Sequence, residues 1–130
     1  MINAAVLGSP INHSLSPLLH SLAYELLGLT AQYQAIEVKA GELEKFLAET
    51  DKNALSLTMP LKEISIGFVD RVDPIAKQIS SVNTIIFEST GSIGISTDLL
   101  AFKNLQKPYF GKKIAILGAG GTARAALGAL

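Results

Sequence analysis

With 48% hydrophobic residues in a chain of 130, there is enough apolar material for one ordinary domain core, and 11 Lys and Arg against 11 Asp and Glu leave no bulk charge to draw nucleic acid or an anionic membrane. The absence of cysteine excludes a disulfide framework and thiolate metal sites and fits a cytoplasmic protein. No apolar run approaches the ~20 residues that cross a bilayer, and the first residues lack the basic and long apolar regions of a signal peptide.

Residues 2–7 are apolar apart from Asn3 and stop at Gly8, the pattern of a buried parallel strand. Residues 17–27 carry apolar side chains at 18, 19, 22, 23, 26 and 27, which is helical spacing, and Gly28 ends the run. A second strand is expected over 32–38 and a surface helix over 42–49, with Leu43, Phe46 and Leu47 on its inner face. A third strand, 54–58, is stopped by Pro60, and a helix over 60–69 should turn Leu61, Ile64 and Phe68 inward. A short helical turn over 74–79 precedes two strands, 82–88 and 92–96, whose four-residue link makes them antiparallel. The alternation predicts an α/β fold of three layers, with a mostly parallel sheet and one antiparallel strand. A boundary is expected near Asp98, giving a first unit over 1–98 and a second over 99–130.

The second unit opens with a helix and connector over 99–109, broken at Pro108, and begins afresh as strand 114–117, glycine turn and helix. Gly118, Ala119, Gly120, Gly121, Thr122 and Ala123 fit G-x-G-x-x-A, whose glycines let backbone N–H groups approach a pyrophosphate at a helix N-terminus. The same turn would also serve as a tight strand-to-helix connection with no ligand. The second strand of a dinucleotide fold, with its ribose-reading residue ~20 positions on, does not follow, so the chain is expected to be a fragment of a longer protein holding the truncated start of a Rossmann unit.

Several polar residues ask for a reason. Ser16 before Pro17 is a good N-cap for the first helix; Ser14 is not needed for that cap, and two hydroxyls beside a helix N-terminus make a neutral cradle for a small carboxylate. Thr58 ends a predicted parallel strand, the edge where open α/β sheets bind ligands. Lys62 lies in the first turn of the next helix, where the dipole mildly disfavours a cation, so it is a candidate for function as well as a solvated surface lysine. Asn83 opens one strand of the hairpin and could be a satisfied core amide; Thr97 and Asp98 close the other, with Asp98 a natural N-cap for helix 99–107. A lysine and an aspartate at neighbouring strand ends could form a proton-transfer pair. His13 and His20 are seven apart, the wrong spacing for a helical metal pair, so no metal is expected and His20 is read as packing near the site.

Together, "GSPINHSLSPLLH", "LTMPLKE", "SSVNTI", "STD" and "GAGGTARAAL" resemble the shikimate dehydrogenase family, in order and spacing, over the whole chain. The resemblance implies a two-domain enzyme that reduces 3-dehydroshikimate to shikimate reversibly with NADP, in the route to aromatic amino acids. It implies that Ser14 and Ser16 hold the substrate carboxylate and that Ser56, Thr58, Asn83 and Thr97 line the pocket. Lys62 and Asp98 would be the catalytic pair flanking the reacting oxygen, and Gly118 to Thr122 would take the cofactor's pyrophosphate. The family usually has Asn-Val-Thr where this chain has Ser56-Leu57-Thr58, and Asn-Thr-Asp where it has Ser96-Thr97-Asp98. Losing the first asparagine removes an amide that both donates and accepts, so quinate or another polyol acid is the alternative substrate, and a non-catalytic binding fragment the alternative class. The implied partner is a small molecule, with neither nucleic acid nor membrane; an unfinished sheet edge would also suit a homodimer.

Overall fold

The computed structural model describes residues 1–105 and 107–130. In a six-stranded sheet, β1 (Ile2–Gly8) pairs in parallel with β2 (Ala31–Glu37) on one side and β3 (Ala54–Leu57) on the other. Beyond β3 come β5 (Thr84–Glu88), β6 (Gly91–Ile95) and β4 (Arg71–Val72), in the order β2-β1-β3-β5-β6-β4. Only β5 runs against both its neighbours; β6 and β4 pair in parallel. The expected antiparallel hairpin is therefore present, in register from Thr84↔Ile95 to Glu88↔Gly91. The two-residue β4 has no periodicity for a sequence reading to detect, and it was not expected.

The unbroken apolar run of β1 is explained by cover on both faces. Ala5 and Leu7 join a core with Leu55, Leu57, Val82 and Ile85; α2 (Leu43–Glu49), α3 (Leu61–Ile64) and α4 (Pro74–Gln78) close that side. Ala4 and Val6 point the other way, with Ile11, Tyr33 and the partly buried Tyr24 of α1 (Ser16–Leu26). The layers are thus helix, sheet, helix. The expected helix over 60–69 is shorter: α3 gives way to a 3-10 turn over Ser65–Phe68, which leaves Phe68 39% exposed instead of inward. In α1 no residue is fully buried, and Leu15, Leu19, Leu22 and Leu26 near or on it stay exposed.

After β6 the chain continues through α5 (Thr97–Leu105), a 3-10 turn at Lys107–Tyr109 and α6 (Gly121–Ala129). Leu99 of α5 packs with Ala125 and Ala129 of α6 against Ile79 and Phe102. Residues 114–117 have no regular secondary structure and pair with no strand among the described residues, and Ile114 and Leu117 are 47% and 98% exposed. The expected strand there lacks a neighbour to exchange ladder hydrogen bonds with, and apolar sequence alone does not supply one. Among the described residues, no helix is long and apolar enough to cross a membrane.

The edge by β4 is held by one carboxylate. The Ser92 backbone N–H and hydroxyl donate to Asp70 Oδ2 at 2.6 and 2.8 Å, and the Asp70 N–H returns a bond to Ser92 Oγ at 3.1 Å. The two Ser92 bonds hold the Asp70 carboxyl below the ordinary aspartate value. A lowered folded-state value means that the stabilisation is complete above the unfolded-state value and is lost as pH falls through the folded one. Asp70→Asn should lower the melting temperature at neutral pH and flatten its fall between about pH 5 and 2 relative to the parent chain, as read by circular dichroism.

Candidate active site

A cleft of about 480 Å³ opens on the α1 side of the sheet and runs from its middle, over Ala4 and Val6, to the rim where Thr58 and Asp98 stand. Of the eight residues expected to hold substrate, seven line it; Ser14 does not. The expected pocket at the strand ends is thus longer than anticipated and extends beneath α1.

The rim is built by backbone first. Thr58 N–H donates to Leu7 O at 2.9 Å and Thr58 O accepts from Leu61 N–H at 2.8 Å, so the chain turns directly from β3 into α3. Lys62 O accepts from Val82 N–H at 2.8 Å, which pins the lysine's backbone to the approach of β5. Asn83 then bridges two strands: Leu57 N–H donates to its carbonyl at 2.7 Å and its own N–H donates to Ile95 O at 3.1 Å. Because β5 is reversed, its start, the end of β3 and the end of β6 meet at one place.

Five side chains converge there. Lys62 Nζ lies 2.6 Å from Asp98 Oδ2, with side chains only 13% and 25% exposed, so the pair is largely screened from water. Asn83 Nδ2 donates to Asp98 Oδ1 at 2.8 Å and to Thr97 Oγ1 at 2.7 Å; its Oδ1 accepts from Thr97 N–H at 2.8 Å and from the Thr84 hydroxyl at 3.3 Å. An amide has two donor hydrogens and two acceptor lone pairs, so all of Asn83's capacity is used inside the protein. Its observed work is to aim Asp98. Both oxygens of Asp98 are engaged, and Lys62 keeps a hydrogen for an incoming oxygen. The pair can move a proton to or from a group in the cleft.

Two expected caps differ from what is found. Asp98 is already in the first turn of α5, where Ser96 Oγ accepts from Leu99 N–H at 3.4 Å; the carboxylate is left free to face Lys62. At α1, Ser16 is the first helical residue and makes no capping bond, while Ser14 Oγ accepts Ser16 N–H at 3.3 Å. The local bond belongs to Ser14, and the Ser16 hydroxyl is the one on the cleft wall. The two roles are exchanged because the chain enters α1 in helical geometry at Leu15, one residue earlier than the proline signal suggests.

Sequence reasoning missed Tyr33. This strand residue is 8% exposed and its hydroxyl donates to Ser56 Oγ at 2.7 Å. His20 of α1 stacks on its ring, centroids 4.0 Å apart and planes 4° from parallel. Burial raises the Tyr33 value above that of an ordinary phenol and lowers that of His20, so a neutral imidazole stacks on a neutral phenol. A tyrosine in mid-strand on a buried face needs a hydroxyl partner, and that need was the available signal.

The glycine turn stands beside the cleft. An opening of about 290 Å³ is bounded by Thr58, Lys62 and Glu63 on one side and Gly118 and Gly120 to Ala123 on the other. Gly118 has φ +116°, where only glycine is at ease, and Gly120 precedes α6 with extended backbone. A glycine turn at a helix start, where the first N–H groups have no intrahelical partner, fits a pyrophosphate. A further cavity of about 520 Å³, between α5, residues 114–117 and α6, is walled almost wholly by apolar side chains, with Tyr109 and Thr122 as its hydroxyl-bearing residues. No cluster of metal-ligating side chains is present among the described residues.

Comparison with known proteins follows the same geometry. Residues 6–85 match the family described as the shikimate dehydrogenase substrate binding domain. The chain is 42% identical to the shikimate dehydrogenase (NADP(+)) of Moorella thermoacetica over 97% of this chain and 45% of that one. It is 42% identical to the protein of the same name from Methanosarcina barkeri, over 92% of this chain and 46% of that one. Shikimate 5-dehydrogenase from Thermus thermophilus, solved with shikimate and with NADP(H) and shikimate, superposes with a TM-score of 0.88 at 36% identity. That superposition covers 99% of this chain and 52% of the chain in the shikimate complex. The chain spans about half the length of the curated relatives it matches. With more than half of its residues inside the family match and its sheet laid over that of the Thermus enzyme, the chain belongs to the shikimate dehydrogenase substrate-binding domain family.

Proposed function

We propose that this chain is the substrate-binding and proton-handling half of an NADP-dependent shikimate dehydrogenase, with residues 1–98 as the substrate unit and 99–130 as a linker helix and the opening of the nucleotide unit. One observation carries the reading: the Lys62–Asp98 pair at 2.6 Å sits inside a polar-rimmed cleft, next to a glycine turn that fits a pyrophosphate. In the reducing direction, the substrate carbonyl carbon gains a hydride and its oxygen gains a proton from Lys62 Nζ; the amine then regains a proton from solvent. NADP, with its pyrophosphate at the glycine turn, would supply that hydride from its nicotinamide. Asp98 holds the ammonium in place and stabilises its charge, and Asn83 holds Asp98. The Ser16 hydroxyl and the N-terminus of α1 receive the substrate carboxylate, while Ser56, Thr58 and Thr97 meet its hydroxyls. Gly118, Ala119, Gly120, Gly121 and Thr122 approach the cofactor's phosphates.

The test has two parts. Calorimetry on the chain itself should show shikimate binding that Ser16→Ala weakens. Continuing the chain past Leu130 into the matching half of the Thermus enzyme should give a shikimate dehydrogenase that uses NADP; an inactive chimera whose chain still binds shikimate would leave a binding module only. The ratio of kcat/KM for shikimate and quinate decides between those substrates.

Tyr33 bears on that ratio. Because Ser56 Oγ accepts the phenol's hydrogen bond, its own hydrogen is left to donate to a substrate hydroxyl. Tyr33→Phe frees that hydroxyl and removes a bond worth about 1 kcal/mol. Shikimate affinity should fall roughly fivefold by calorimetry, with His20 still stacked on the ring, since a factor of 10 is about 1.4 kcal/mol.

A further inference from the structure

Lys62 has a second partner that the proton-transfer reading does not require. Its Nζ donates to Thr122 Oγ1 at 3.1 Å, across 60 residues of sequence. Thr122 stands in the first turn of α6, directly after the glycine turn, so α3, α5 and α6 meet at one ammonium group. The helix also presses on the lysine's stem. A Cβ on Gly121 would stand 3.0 Å from both Lys62 Cβ and Cδ, a tight contact, and 2.6 Å from Ser81 Oγ, closer than real Cβ atoms approach. Gly121 is buried, and Ser81 is 1% exposed. The glycine therefore has a duty toward the lysine, apart from any phosphate.

A lysine side chain has four rotatable carbons, and one acceptor fixes the distance of its ammonium without fixing its direction. Asp98 Oδ2 supplies the first point. We propose that Thr122 is a positioning residue for Lys62: its hydroxyl supplies the second point, aims the remaining N–H into the cleft, and ties that aim to the placement of the glycine turn. A displacement of the turn is then felt at the ammonium through a single bond. The catalytic meaning of this tie rests on the dehydrogenase reading; the tie itself does not.

The experiment separates the two. In this chain, labelled with 15N at lysine, hydrogen exchange at the Lys62 ammonium is compared among the parent, Thr122→Ser and Thr122→Val. Valine keeps the branched shape and removes the acceptor, so exchange should be at least threefold faster; serine keeps the acceptor and should stay within twofold of the parent. Exchange unchanged in Thr122→Val overturns the proposal, and so does equal acceleration in both variants, which would mark a packing role. The methyl signals of Ala125 and Ala129 report whether α6 stays docked, and Gly121→Ala gives a second route, since its Cβ must push the turn from the lysine and speed exchange in the same way. In the chimera, Thr122→Val should lower kcat, read at saturating NADP, five- to twentyfold with KM for shikimate within twofold. An effect confined to KM for NADP would overturn the positioning role. An inactive parent chimera combined with Thr122-dependent exchange would sink the dehydrogenase reading and leave the tie standing.

Discussion

Lys62→Ala in the chimeric dehydrogenase should lower turnover at least about 100-fold, the usual scale for a group that transfers a proton in the transition state. The fold should survive. Lys62 contributes backbone bonds to Val82 and Ser65 that alanine retains, and its neighbour Leu61, not the lysine, fills the core. The melting temperature should therefore change little, although Asp98 loses its cation, because Asn83 still donates to the other carboxylate oxygen. Steady-state kinetics beside thermal melting checks both halves. Turnover within tenfold of the parent would remove Lys62 from the chemistry, whatever the fate of the fold.

The second large effect belongs to Asn83→Leu. The amide is the hub of the rim, with four hydrogen bonds of 2.7 to 3.3 Å to Thr84, Thr97 and Asp98. Leucine is close in size but leaves the Thr97 N–H and one Asp98 oxygen without partners in a partly enclosed place. Stranding such groups costs about 1–3 kcal/mol each where water does not reach them. The rim is half open, so a loss of about 2 kcal/mol is expected, roughly 4–8 °C or more in melting temperature for a chain of this size. Turnover should fall as well, because Asp98 is no longer aimed. Asn83→Asp offers a contrast: the shape is kept, but a carboxylate cannot donate and sets a like charge against Asp98, so it should not rescue activity. A leucine variant with parental melting and turnover would show that the hub is ornamental.

Much of the sheet was legible because its strands are apolar runs bounded by Gly and Pro, and burial on both faces leaves few other readings for "NAAVLG" and "ALSL". The hairpin followed from one short link. What escaped has physical causes. The pairing of β4 depends on β6 being beside it, not on Arg71 and Val72 themselves. Residues 114–117 look like a strand, yet a strand exists only with a neighbour, and none is present among the described residues. Motif spacing brought Lys62, Asp98, Asn83 and Thr97 to one list, but only the fold shows Asn83 occupied on all sides. Tyr33 was hidden because its partner Ser56 lies 23 residues away and two strands across. The exchange of duties between Ser14 and Ser16 turned on one residue of helix phase, which composition does not encode.

The reversed strand has a consequence for how the two members of the ion pair keep their distance. The arms of the hairpin are equal, five residues each, and the far turn at 89–90 lies at the opposite end from the cleft. The hairpin acts as a caliper whose jaw carries the carboxylate. Each residue of strand advances about 3.3 Å, more than a hydrogen bond can stretch, so trimming one arm by a single residue withdraws the jaw from the lysine. Loop length at the tip is free to drift; arm length is not.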